Sequence, residues 1–267
     1  MTTSSSVWIE ETVEVAGTRL QLAKAGTGDP LLILHDEISH PGWLRFHEAL
    51  AQSHTLYLPW HPGFGKTERV DWVMNMRDLA GWYLLALEEL GLGPVNVLSF
   101  SLGAWLAAEI ATMHPERFKK LVLVGALGVK PPIGEIYDMF LSVAKEHIAA
   151  NIFDPAATAE FQEICPDEPE QERREIWEAA REEACRLGWK PYMYYPALPH
   201  LLRRLKNLPS LVVWGREDAI VPLSAGEEYH RSIPGSHLVV MDHCGHQPHV
   251  EKPDEFVGVV QKFLADG

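Results

Sequence analysis

Val95-Asn-Val-Leu-Ser-Phe-Ser-Leu-Gly-Ala104 is the stretch on which the fold turns. Its first half is a short, almost continuously apolar run, the pattern of a strand buried on both faces. It passes without a loop into the Ala- and Leu-rich segment Leu102–Met113, which reads as a helix. A serine in so tight a strand-to-helix turn, Ser101, is forced into a strained backbone conformation. Small residues two before and two after it, Ser99 and Gly103, let strand and helix approach closely. The turn puts the Ser101 hydroxyl at a helix N-terminus, where the Leu102 N–H can donate to a developing oxyanion. An ordinary strand–helix turn with Ser101 as N-cap produces the same local pattern, so a nucleophile must be argued from its partners.

Outward from this turn, the same strand signature returns. Glu11–Val15 and Thr18–Ala23 alternate around Ala16-Gly17 as a hairpin. Buried-strand runs follow at Pro30–His35, Thr55–Pro59, Val95–Ser99, Leu121–Val124, Ser210–Trp214 and His237–Met241. Between them lie helix-length amphipathic stretches, Trp43–Gln52, Met74–Leu92, Leu102–Met113, Ser224–Ser232 and Pro253–Leu264. Alternation of this kind predicts a mostly parallel sheet with helices on both faces. It breaks between Lys130 and Leu208, where residues 160–183 carry ten acidic side chains against three basic ones. That segment reads as an α-helical insertion, which divides the chain into a core at 1–129, a cap at 130–208 and a second core part at 209–267.

A serine hydroxyl needs a base, and a base follows in the right order. Asp242-His-Cys-Gly-His246 comes directly after the run His237–Met241, so His246 falls on a loop past a strand's C-terminal end. Leu211-Val-Val-Trp-Gly-Arg-Glu-Asp218 likewise sets a carboxylate past the preceding strand. Asp218 can accept from the histidine Nδ1–H, fix its tautomer and stabilise the imidazolium formed as Ser101 loses its proton. The order Ser…Asp…His, each at a strand end, is the one this architecture requires.

Bulk properties narrow the partners. The 267 residues hold 23 Lys and Arg against 37 Asp and Glu, a formal charge of −14, which leaves little to neutralise a nucleic-acid backbone. Three cysteines without C-x-x-C spacing favour reduced thiols and a cytoplasmic setting. The opening MTTSSSVWIEE lacks the basic and apolar regions of a leader, and no apolar run is long enough to span a bilayer. The expected partner is a small molecule; neither nucleic acid nor membrane is expected.

Ser99-x-Ser101-x-Gly103, Trp214-Gly-Arg-Glu-Asp218-Ala-Ile-Val-Pro222 and Gly245-His246-Gln-Pro248-His-Val-Glu251-Lys-Pro253 resemble the α/β-hydrolase superfamily. So do Pro62-Gly-Phe-Gly-Lys-Thr67 and His114-Pro-Glu-Arg117 with the strand after it. The resemblance runs from about residue 12 to the end, cap excepted. It implies an eight-stranded α/β-hydrolase core, a helical cap after the sixth strand, a Ser101–His246–Asp218 triad and no cofactor. The Asp218 and His246 regions most resemble capped esterases and the C–C bond hydrolases that cleave ring-fission diketones.

Departures matter as much. The family's His-Gly is His35-Asp36 here, followed by Glu37 at the position whose backbone N–H would be the second oxyanion donor. Two carboxylates beside an oxyanion are unfavourable unless both side chains point away. Asp36 can stand in for glycine at positive φ with its carboxylate solvated or bonded to a backbone amide, or it can face the site. Trp60 replaces the Asp of the usual Asp-x-Pro-Gly motif. Ile38-Ser39-His40 and Phe100 stand where the C–C hydrolases carry a Gly-rich run and an Asn, which ranks ester cleavage first. C–C hydrolysis of a diketone acid is the alternative, with Arg203 or Arg204 as partner for its carboxylate; a non-catalytic binding protein on the same fold is another.

Three further features bear on ligands. Gly65-Lys66-Thr67 imitates the end of a P-loop, but Trp60 occupies the position of its first glycine. His243, Cys244, His246 and His249 crowd together without the spacing of a tetrahedral metal set, so no metal is expected. Met139-Phe140 and the cap's final Trp189-Lys-Pro-Tyr-Met-Tyr-Tyr-Pro196 either line an apolar pocket above Ser101 or bury the cap against the core. With neutral His246 as base, hydrolysis should follow a histidine ionisation around pH 6–7.

Overall fold

Every apolar run becomes a strand, and the two faces of the sheet can be read directly along the chain. In the computed structural model, which describes residues 8–40 and 42–266, the strands are β1 (Ile9–Val15), β2 (Thr18–Ala25), β3 (Asp29–Leu34), β4 (His54–Pro59), β5 (Val95–Phe100), β6 (Phe118–Val124), β7 (Ser210–Gly215) and β8 (His237–Met241). Most of the segment read for a leader, residues 1–7, lies outside the described residues. The strands form one sheet in the order β1-β2-β4-β3-β5-β6-β7-β8, antiparallel across β1/β2 and β2/β4 and parallel elsewhere.

Successive strand side chains point to opposite faces, and the core divides accordingly. Leu32, Leu34, Leu121, Leu123, Val212 and Trp214 join one buried cluster; Leu31, Ile33, Val122, Val124, Leu211 and Val213 join the other. Helices α1 (Arg45–Ala51), α2 (Met76–Glu89) and α3 (Ser101–Met113) follow β3, β4 and β5, and α2 begins where Asn75 Oδ1 accepts the Arg77 and Asp78 N–H groups. The first cluster takes Leu79, Trp82 and Tyr83 of α2 and Leu106 and Ile110 of α3, whereas the second takes Phe46 and Leu50 of α1. The chain therefore leaves β3 toward one face and β5 toward the other. Ligands of open α/β sheets bind in the crevice at such a switch point.

Between β6 and β7 come α4 (Ala144–Ala150), α5 (Phe161–Ile164), α6 (Gln171–Leu187) and α7 (Leu198–Leu202), and among the described residues 130–208 contain no sheet strand. The acidic α6 buries Trp177, Ala180, Ala184 and Leu187, the spacing of one helical face. Glu183, only 1% exposed, is neutralised by Arg69 and Arg186, each at 2.5 Å. The insertion is also tied to core helices: the N–H of Arg45, first residue of α1, donates to Glu160 at 2.9 Å, and Phe153 N–H donates to Glu251, in the turn after the His246 loop, at 2.9 Å. After β7 the chain completes α8 (Leu223–Ser232), α9 (Pro248–Glu251) and α10 (Pro253–Ala265); α10 packs Phe256 and Val260 beside α1. No helix among the described residues is long and apolar enough to cross a membrane. All three cysteines are free and buried.

The aromatic end of the insertion lines two cavities, one with Phe140 and Trp189 and one with Tyr194 and Tyr195, and Ser101 lines neither. Trp189 is 62% exposed and meets Phe140, itself 39% exposed, edge-on at 4.9 Å. Met193 is buried in the core, and the Tyr192 hydroxyl accepts from Met139 N–H and donates to the Tyr137 carbonyl, so these residues anchor the insertion.

Candidate active site

Ser101 begins α3 with φ at +46°, in the left-handed region that a side chain enters only under constraint. The constraint is the close approach of α3 to β3. A Cβ on Gly103 would lie 2.3 Å from the His35 carbonyl oxygen and 2.5 Å from that of Leu34. Ser99, two residues the other way, is fully buried and spends its hydroxyl on the Val122 carbonyl at 2.7 Å. The Ser101 hydroxyl, in contrast, is buried without a hydrogen-bond partner.

Asp218 and His246 meet as their places past β7 and β8 suggest. His246 Nδ1 donates to Asp218 Oδ2 at 2.7 Å, while Asp218 Oδ1 accepts the Ile220 and Val221 N–H groups at 2.9 and 2.8 Å. With Nδ1 carrying the proton, Nε2 is the basic nitrogen, and it too lacks a partner. The imidazole packs on Gly125 at the end of β6, next to β5: a Cβ on Gly125 would stand 2.9 Å from His246 Cε1. Backbone from the insertion holds the loop, since His246 N–H donates to the Asn151 carbonyl at 2.7 Å.

The turn leaving β3 completes the site. His35 Nδ1 donates to the Asp36 carbonyl at 2.6 Å, and its Nε2 accepts the His61 N–H at 2.9 Å. Burial lowers this imidazole to about 4 and keeps it neutral, as that bonding pattern requires. In a trans peptide the N–H lies opposite the carbonyl, so His35 turns the Glu37 N–H to the far side. Leu102, second in α3, has no intrahelical acceptor for its own N–H.

Asp36 does not replace glycine by adopting positive φ; the positive φ of this turn falls on Ser39, at +95°. Instead Asp36 Oδ1 caps the turn, accepting from Ile38 and Ser39 N–H at 2.9 and 3.1 Å, and Oδ2 accepts from the Gln247 amide at 3.1 Å. Burial, then the charge of Glu37, raises its pKa above the ordinary carboxylate range. Nor does Glu37 point away. Its carboxylate is 1% exposed and accepts from His147 Nε2 of α4 at 2.6 Å. Burial alone would push it up, but His147, His246 and the nearby Ser101 hydroxyl overcome this and hold it ionised, well below the usual range. Ser101 is near enough to exert that influence, although its contact with the carboxylate falls short of full hydrogen-bond geometry.

These carboxylates act on His246 in turn. Its burial favours the neutral ring, but Asp218, then Glu37 and Asp36, outweigh that and carry the pKa up to about 9. His147 and its pairing with Glu37 carry no local sequence signal, because the partners are 110 residues apart.

Other candidates scatter. Arg203 and Arg204 are exposed, and Arg204 donates to the Thr112 carbonyl at the far end of α3, so neither can serve a ligand at Ser101. Cys244 lies by Glu251, His249 packs on Phe100 and Phe46, and His243 faces Phe153. Among the described residues no group of three or more His, Cys, Asp or Glu is arranged to hold a metal ion.

Comparison with known proteins agrees with this architecture. A model of the α/β-hydrolase fold family matches residues 29–253. The chain is 30% identical to the 2-hydroxymuconate semialdehyde hydrolase of Pseudomonas sp. strain CF600, over 94% of its own length and 92% of that protein's. Its fold is similar to those of the 2-hydroxy-6-oxo-6-phenylhexa-2,4-dienoate hydrolase from Rhodococcus sp. strain RHA1 (TM-score 0.77, 23% identity, 98% of this chain and 100% of that one) and an esterase from Rhodococcus sp. ECU1013 (TM-score 0.76, 21% identity, 98% and 99%). The chain belongs to the α/β-hydrolase fold family and is a hydrolase of that fold.

Proposed function

We propose that this hydrolase works through a serine nucleophile, with Ser101 attacking a carbonyl carbon, His246 as base and Asp218 as its anchor, and that the bond it breaks is the C–C bond of a ring-fission diketone acid. The observation that carries the bond type is the kinship, along nearly the whole chain, with a hydrolase of 2-hydroxymuconate semialdehyde; this reverses the order in which residues alone rank the two bond types. Ser101 Oγ adds to the ketone carbonyl while His246 Nε2 takes its proton. The tetrahedral centre collapses with loss of the C–C bond, and His246 returns the proton to the departing carbon. Water then attacks the acyl-serine with His246 again accepting the proton, and Ser101 is regenerated. The N–H groups of Leu102 and Glu37 receive the oxyanion. Residues 130–208 act as the cap over this site.

Ester cleavage by the same groups is the second reading. It is favoured by the site's own charge: Asp36 and Glu37 flank the nucleophile, and no lysine or arginine among the described residues is buried to receive a dienoate carboxylate. Side-by-side kinetics decide. Loss of the dienolate chromophore of a 2-hydroxy-6-oxo-dienoate is measured against p-nitrophenol release from short acyl esters. A kcat/KM at least tenfold higher for the dienoate is expected. The reverse order makes the protein an esterase, and no turnover of either, with no labelling by a fluorophosphonate, makes it a binding protein.

The pH profile is displaced from that of an ordinary histidine. Only neutral His246 can accept the serine proton, so turnover follows the deprotonated fraction. With the imidazole raised to about 9, kcat/KM should climb through neutral pH and level off only above about 9, not around 6–7. Initial rates from pH 5 to 10 test this; a plateau already reached at pH 7.5 would show that the carboxylates do not act on His246.

A further inference from the structure

The proposed reaction uses the main chain of Glu37 and leaves its side chain without a task. Burying an ionised carboxylate beside a nucleophile is costly unless its oxygens are satisfied. Only one of them is: Oε1 accepts from His147 at 2.6 Å, while Oε2 is buried and has no partner. The pair is built with care for position. The two side chains are 1% and 2% exposed, and His147 reaches from α4, the helix whose C-terminal Asn151 carbonyl holds the His246 loop. Both Ser101 and His246 are close enough to Glu37 to help keep it ionised. Glu37 also follows by two residues the His35 carbonyl that abuts Gly103 just after Ser101, and its partner helix holds the His246 loop, which sets the unpartnered oxygen on the side where an acyl group on Ser101 would lie.

An ionised carboxylate can only accept. A second unpartnered acceptor, Asn151 Oδ1, is buried on the same stretch of insertion, its amide orientation set by donation to the His147 carbonyl at 2.9 Å. The polar demand on this side of the site is for a donor, and a carboxylate there is repelled. One free carboxylate oxygen, its twin already committed, matches a single neutral O–H better than an ammonium with several donors to satisfy. The Glu37 side chain springs from the residue whose N–H faces the oxyanion, so the donor belongs within a bond or two of the scissile carbonyl.

Resting on the ester-cleaving form of the serine-hydrolase reading, because a ring-fission diketone acid carries its hydroxyl on the departing half, we infer that Glu37 is a specificity-determining residue that binds a hydroxyl group on the acyl half of the substrate, next to the scissile carbonyl, with His147 as the residue that positions it. A site that presents a buried acceptor discriminates strongly against an analogue lacking the donor, because the acceptor is then left unpaired.

Matched p-nitrophenyl esters of 3-hydroxybutyrate and butyrate, corrected for their uncatalysed rates, test this with the full-length protein. The wild type is expected to favour the hydroxy ester by tenfold or more in kcat/KM. Glu37→Gln should bring the ratio to within about twofold of unity, and His147→Ala should reduce it while leaving residue 37 intact. A role confined to tying the insertion to the core would slow both esters alike and leave the ratio unchanged. The inference is overturned by a wild-type ratio near or below one, which needs no variant to fold, or by a ratio that survives Glu37→Gln. Failure of a fluorophosphonate to label wild-type Ser101 would instead overturn the reading of the reaction itself.

Discussion

Ser101→Ala is expected to abolish covalent labelling by a fluorophosphonate and to lower kcat on any carbonyl substrate by a factor on the order of 10⁴–10⁶. The loss is large because oxygen, base and oxyanion donors act as one unit, and without the oxygen only binding and oxyanion stabilisation remain. Stability should move the other way. The Ser101 hydroxyl is 2% exposed as a residue and makes no hydrogen bond in the protein, so removing it deletes an unsatisfied buried polar group. The alanine variant should therefore unfold at the same temperature as the parent or slightly above it, which separates loss of chemistry from loss of fold. Intact-mass measurement after labelling and a thermal melt supply both readouts. Label that persists in the variant would place the nucleophile elsewhere. Ser99, the neighbour in sequence, is a poor candidate because its hydroxyl is committed to the Val122 carbonyl.

Asp218→Asn should cost roughly 10³–10⁴ in kcat with little change in KM. Asparagine can keep its oxygen on the Ile220 and Val221 N–H groups, where Asp218 Oδ1 now sits. Its NH₂ then faces His246 Nδ1 and can only donate, which favours the tautomer with Nε2 protonated and takes the base away from Ser101. The substitution also removes the strongest charge raising His246, so whatever activity remains should reach its plateau at lower pH than in the parent. No carboxylate nearby can take over. Asp242 lies on the surface paired with Arg216, and Glu37 is held by His147. Near-normal turnover in this variant would disprove the role of Asp218 in orienting the base.

The histidines around the turn after β3 mark the limit of residue-by-residue reading. His35, His40, His47, His61 and His249 are all pushed toward the neutral form, by burial first of all. By residue type His40 and His249 look no different from His246, which the chain marks only by its place past β8 and the motif around it. What sets His246 apart is a carboxylate at 2.7 Å that burial has stripped of competing water.

Strand positions, the alternation of their side chains between two faces, the tight turn at Ser101, and the order of Ser101, Asp218 and His246 were all legible in the sequence. Each depends on a local pattern: a period of two, a run of apolar residues, a small residue at a fixed offset, a polar residue just past a strand. Local geometry enforces such patterns wherever they occur, and the parallel sheet then gathers the strand ends on one side. Which way Asp36 and Glu37 point, and which residue answers Glu37, came only with the tertiary structure. His147 stands 110 residues from Glu37, in a helical insertion whose outer face carries charges of its own. Nothing in the spacing of either residue distinguishes a surface side chain from one folded against the nucleophile. That choice is made by packing, because the cost of burying a carboxylate is met only once the insertion has closed on the sheet and brought its imidazole within hydrogen-bonding distance.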